Sequence, residues 1–88
     1  MNYKEKIKKW LIEWFCGQTG YTPKEIEEHA NDNYFDIGYI DSFGFIELIE
    51  TLEETHQVAF PSDAFQDRSF ATINGLAEIC ADQQRQGE

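Results

Sequence analysis

Three stretches of this chain set apolar residues at three- and four-residue steps, and no stretch alternates with the two-residue period of a strand. This periodicity confines the fold to helices packed against one another. The first stretch covers about residues 2–16, where Tyr3, Ile7, Trp10, Leu11 and Trp14 make one face. Gly17 and Gly20 are expected to end it. The second covers 42–56, with Phe45, Ile46, Leu48, Ile49 and Leu52 as a wide buried stripe. The third covers about 72–83, with Ile73, Leu76, Ala77 and Cys80 at helical spacing, although Gly75 weakens it.

A long connection separates the first two stretches. Within it, Thr22, Pro23 and Glu25 supply a cap, a first-turn proline and an early acid, which predict a short helix over about 24–29. Asn31, Asp32 and Asn33 then mark a loop. Tyr34, Phe35, Ile37, Tyr39 and Ile40 are expected to tuck against the core. Pro61 stops the chain after the second stretch, and a brief helical turn is expected over 62–65. With 88 residues there is room for one modest core and no second domain. The expected fold is all-α, a small four-helix bundle of three main helices and one short helix. A long loop lies between helices 1 and 2. One domain covers 1–88, and its polar tail is expected to fray from about residue 83.

Charge narrows the partners. The formal net charge is −10, from 17 acidic and 7 basic residues, so nucleic acid and anionic membrane are repelled. Either plain solubility or a basic protein partner accounts for it. The acids are concentrated: no Lys or Arg falls between Glu25 and Asp67, and four of the seven basic residues lie in the first stretch. Glu47, Glu50 and Glu54 are spaced by three and four on one helix face, where like charges repel. That arrangement points to a basic partner more than to an ordinary solvated face.

Cys16 and Cys80 fall inside helical patterns, where reduced, buried cysteine is common. Together with His29 and His56 they show no metal-ligand spacing, so no metal site is expected. No stretch approaches a membrane span, and the apolar run near Trp10 is short for a secretory signal. A cytoplasmic address without membrane insertion is the expectation.

The segment Gly38-Tyr39-Ile40-Asp41-Ser42-Phe43 opens the second long helix. Asp41 or Ser42 is the cap candidate there. A serine hydroxyl at a helix start faces unsatisfied N–H groups and the positive end of the helix dipole, which suits it to carry a phosphate. On the residues alone, a simple capping role for Ser42 is the commoner explanation.

Asp41-Ser42-Phe43, followed by Ile46-Glu47-Leu48, Leu52-Glu53-Glu54 and later Phe60-Pro61, resembles the acyl carrier and peptidyl carrier protein family. The resemblance covers nearly the whole chain, including the closing helix with Phe70 and Thr72 ahead of Leu76. In that family a D-S-[L/F] motif begins the second helix, and its serine carries 4'-phosphopantetheine. The stretch from Gly38 to Gly44 looks most like D-alanyl carriers and stand-alone aminoacyl or peptidyl carriers. Fatty-acid carriers usually have Asp where this chain has Gly44, an apolar residue where it has Glu50, and a shorter loop before the motif.

The resemblance implies carriage rather than catalysis, by a monomer with no catalytic residue of its own. A phosphopantetheinyl transferase would move the arm from coenzyme A to Ser42. A ligase would load an acyl or aminoacyl group on the arm's thiol as a thioester, and a downstream transferase would take it. Asp41 would lie near the first transferase's metal and basic residues. Phe43 would flank the arm. Phe45 would either flank it too or join the core. Glu47, Glu50, Glu53 and Glu54 would dock to basic patches on these partners.

Three other readings compete. An esterase would need a base for Ser42, and His29 and His56 exist, but the G-x-S-x-G elbow does not. An EF-hand counted from Asp32 fails, with Ile37 at its sixth position and Phe43 at its twelfth. An acidic helical interaction module without any prosthetic group remains, and it makes Ser42 a cap and nothing more.

Overall fold

The computed structural model describes residues 3–58, 60 and 68–86. Four α-helices follow one another: α1 Tyr3–Thr19, α2 Pro23–Glu28, α3 Ser42–His56 and α4 Ile73–Gln86. A 3-10 turn, Arg68–Ala71, leads into α4. The architecture is the all-α bundle of three main helices and one short one, and no strand occurs among the described residues. The turn expected over 62–65 lies outside the described residues.

The core is built from the stripes. Ile7, Leu11 and Phe15 of α1, Leu48 and Leu52 of α3, and Ile73, Leu76 and Cys80 of α4 are all essentially inaccessible. Each such apolar side chain contributes about 1.5–3 kcal/mol by leaving water. No charged side chain shares that interior among the described residues. α1 packs against both α4 and α2. Trp10 and Trp14 are only half-buried, whereas Ile12 and Phe15 are buried, so the core face of α1 is rotated from the expected one. The indoles serve as flanks: Trp10 meets His56 edge-on at 5.1 Å, tying α1 to the far end of α3.

α1 runs through Gly17 and stops at Gly20, not at both glycines. Gly17 keeps helical geometry, while Gly20 takes φ +81 and its N–H donates to the Cys16 carbonyl at 2.9 Å. A glycine reverses the chain there without a Cβ penalty. α2 starts as its sequence dictates, with Thr22 Oγ1 accepting from the Glu25 N–H and Pro23 in the first turn. α4 begins at Ile73 and continues to Gln86, three residues beyond the expected end.

The long loop is fastened to the start of α4. The Tyr34 N–H donates to the Ala71 carbonyl, and the Asn74 N–H donates to the Ala30 carbonyl. The Tyr34 hydroxyl, fully buried, donates to the Phe70 carbonyl. Asn74 Nδ2 donates to Asn31 Oδ1 at 2.6 Å. Nearer Ser42, Asn33 Oδ1 accepts from the N–H groups of Phe35 and Asp36, which makes a compact turn. Of the five loop residues expected to tuck inward, Tyr34 is buried and Tyr39 and Ile40 are half-buried. Phe35 and Ile37 remain exposed, because that turn carries them over its outer side.

Candidate functional site

The loop delivers the chain to α3 with Asp41 in extended geometry, φ −108 and ψ −177. Asp41 Oδ1 accepts the Gly44 N–H at 2.8 Å, and the Asp41 carbonyl accepts the Phe45 N–H at 2.9 Å. Asp41 is therefore the cap. Ser42 is the first residue of the helix proper, and it is exposed. Its hydroxyl stands at the positive end of a fifteen-residue helix without being consumed by the capping bond.

Gly44 is required by this packing. A Cβ placed on it would lie 2.9 Å from Ile40 Cγ1 and 3.3 Å from Asp41 Oδ1. Ile40 folds across the first turn of α3 and seals its inner side, so position 44 has no room for a side chain. An isolated glycine inside a helical pattern often marks such an approach.

Phe43, 83% exposed, is the most open large apolar residue among those described. Ile46, assigned to the buried stripe from its sequence position, is 54% exposed instead. At about 100° per residue it shares the outward arc of Phe43 and Glu50, away from Leu48 and Leu52. Phe45 faces the other way, half-buried, with its ring 5.3 Å from Phe35 and 5.6 Å from Phe70. Glu47, Glu50, Glu53 and Glu54 are all exposed. Glu53 also accepts the Phe60 N–H through Oε2 at 3.5 Å.

The histidines do not complete a hydrolytic site with Ser42. His56 closes α3, fourteen residues on, which at 1.5 Å per residue is about 21 Å away. His29 turns its Nδ1 to Asp32 Oδ2 at 2.7 Å and its ring toward Tyr39. Cys80 is buried, and burial pushes its thiol up to about 12, which leaves it inert at neutral pH. No described helix is long and apolar enough to cross a membrane.

Between the start of α3 and α2 lie two recesses, sharing Tyr39, that the sequence did not reveal. One is lined by Gln18, Gly38, Tyr39, Ile40, Asp41 and Gly44. The other is lined by Tyr21, Glu25, Glu28, His29, Ile37 and Tyr39. Burial, then the charge of Glu25 and its neighbours, raises the Tyr39 hydroxyl above its ordinary value. The tyrosines and acids were legible one by one, but their meeting depends on the path of the loop.

A small helical bundle that presents a serine hydroxyl at a helix start, beside an open phenylalanine and an acidic helix face, has the build of a carrier rather than of an enzyme. The chain belongs to the phosphopantetheine attachment site family, whose model matches residues 9–80. Proteins of this family are non-catalytic carriers that hold phosphopantetheine covalently. The chain is also similar to curated D-alanyl carrier proteins. That of Streptococcus uberis is 29% identical over 55 residues, 62% of this chain and 70% of the relative. That of Streptococcus suis is 29% identical over 76 residues, 86% of this chain and 87% of the relative. That of Streptococcus mutans is 27% identical over 78 residues, 89% and 90% of the two chains. No solved structure matches the chain.

The chemistry of the helix start fits the group. An exposed primary hydroxyl is available for a phosphodiester, and the dipole of α3 favours the phosphate that would sit there. The bound arm supplies a flexible tether ending in a thiol.

Proposed function

We propose that Ser42 is the attachment residue and that the chain carries aminoacyl groups as thioesters on its phosphopantetheine arm. The observation that carries the attachment is the division of labour at the start of α3: Asp41 caps, and Ser42 stands exposed and uncommitted. The aminoacyl reading is supported by the likeness to D-alanyl carrier proteins. The exposed Phe43 and Ile46, with Glu47, Glu50, Glu53 and Glu54 along α3, form the face offered to partners. Asp41 lies at its edge, beside the metal and basic residues of an incoming phosphopantetheinyl transferase. A loading ligase and a downstream transferase would use the same face through Arg and Lys patches. Contacts of this kind are fast and salt-sensitive, which suits a shuttle that must leave each enzyme. The protein acts as a cytoplasmic monomer in this reading.

The test is intact mass after incubation with coenzyme A, magnesium and a promiscuous phosphopantetheinyl transferase, with Ser42→Ala alongside. Gain of one phosphopantetheine by the wild type only is the expected result. Equal gain by the Ser42→Ala protein would move the attachment elsewhere.

A further inference from the structure

Tyr39 lines both recesses, the nearer one at the start of α3 and the farther one against α2. The nearer one, about 370 Å³, starts at the Asp41 cap. The farther one, about 380 Å³, is walled by aromatic rings and rimmed by carboxylates. We propose that this farther recess binds the ammonium group of an aminoacyl cargo while the cargo hangs from the arm; the idea rests on the attachment at Ser42 proposed above.

Geometry brings the cargo within reach. Tyr39 precedes Ser42 by three residues, so their Cα atoms are at most about 11 Å apart. An extended phosphopantetheine arm, flexible between its two planar amides, is longer than this separation, so cargo on its thiol can be brought back along the nearer recess to the farther one.

The chemistry selects a cation. Tyr21 and Tyr39 form one wall, with ring centroids 5.4 Å apart and planes at 41°. The His29 ring meets Tyr39 edge-on at 6.1 Å. Aromatic faces attract an ammonium, more strongly where water is partly excluded. Glu25 and Glu28, one turn apart on α2, add negative charge at the rim. The ion pair of α2 runs from Glu27 to Lys8 and leaves both of these acids uncompensated among the described residues. Burial first, and then Glu25 with Glu28 among the smaller contributors, raises the Tyr39 hydroxyl above its ordinary value. A neutral acyl group of the same size gains nothing from these carboxylates, so the recess discriminates by charge.

The test compares two cargoes on the wild-type protein. Coenzyme A analogues whose terminal sulfur is replaced by nitrogen install an alanyl or a propionyl group through a stable amide. Two-dimensional NMR then follows the backbone amides of Tyr21, Glu25, Glu28, His29 and Tyr39. The alanyl form is expected to shift these amides and the propionyl form to leave them in place. The shift should be lost in Glu25→Gln/Glu28→Gln, and in Tyr21→Leu, whose half-exposed ring leaves the core untouched. Equal shifts with both cargoes, or none with either, would overturn the proposal. A titration of unattached alanyl-pantetheine amide into the Ser42→Ala protein reads the recess even if the arm proves to be attached elsewhere. Shifts at the same amides support the site, and their absence refutes it. Mass spectrometry of the loaded samples reports separately on Ser42.

Discussion

The Asp41 carboxylate holds the Gly44 N–H at 2.8 Å, and this one bond separates the two tasks of the Asp-Ser pair. Asp41 satisfies an amide that the helix would otherwise leave orphaned. Ser42 is thereby spared, and it stands exposed at the start of α3, where phosphate is favoured.

Asp41→Ala is expected to cost about 1 kcal/mol, the usual loss for a removed cap. Ser42→Ala, which removes no capping bond, is expected to stay within about 0.5 kcal/mol of the wild type. Urea unfolding of the two variants checks this. If Ser42→Ala proved the more damaging, the serine would be the structural residue and Asp41 the bystander.

Gly44→Ala is expected to destabilise. Alanine gains about 1 kcal/mol over glycine in a helix interior, but the added methyl collides with Ile40 Cγ1 at 2.9 Å and crowds the cap. Overpacking of this kind costs about 1–3 kcal/mol, so a net loss of about 1 kcal/mol is expected. A melting temperature above that of the wild type would mean that Ile40 yields freely.

Added salt or magnesium is expected to raise the melting temperature. Glu47, Glu50 and Glu54 line one exposed face of α3, and screening weakens their repulsion. Differential scanning calorimetry at low and moderate ionic strength measures it, and an unchanged melting temperature would show that these charges cost the fold nothing.

Stability is expected to fall on both sides of neutrality. Burial pushes the Cys80 thiol from 9.0 up to about 12 and raises the Tyr34 hydroxyl well above 10.0. The native state holds both protons more tightly than the unfolded chain does. Their stabilisation is complete below the unfolded values and is lost as pH rises through the native ones, at up to about 1.4 kcal/mol per pH unit for each. On the acid side, burial and then the charge of Lys6 hold His56 below 6.5. That contribution is present above about 6.5 and is lost as pH falls through the native value. Urea midpoints across this range, with Cys80→Val to flatten the alkaline limb and His56→Gln the acid limb, measure both.

The helices were legible because Ile7, Leu11, Leu48, Ile49, Leu52, Ile73, Leu76 and Cys80 repeat at helical spacing and all enter the core. Trp10 and Trp14 misled, since bulk suggests burial, yet such rings pack well as half-covered flanks, and Phe15 takes the central place. Ile46 misleads because it sits among Phe45, Leu48, Ile49 and Leu52 in the sequence, although its angle sets it outward beside Glu50. Asp41 and Ser42 were both visible, but which of them capped depended on backbone geometry that a sequence does not carry. The recess of Tyr21, Glu25, Glu28 and Tyr39 stayed hidden for a related reason: it exists only once the loop has folded back beside α2.

The stitches between the loop and the entry to α4 have a consequence for the order of events in synthesis. Tyr34 is held by Phe70 and Ala71, and Ala30 by Asn74. A nascent chain that has exposed Ser42 to the surroundings still lacks the partners that set the loop leading to it. The helix start proposed for the arm thus takes its folded setting only once α4 has been made and has packed against the loop.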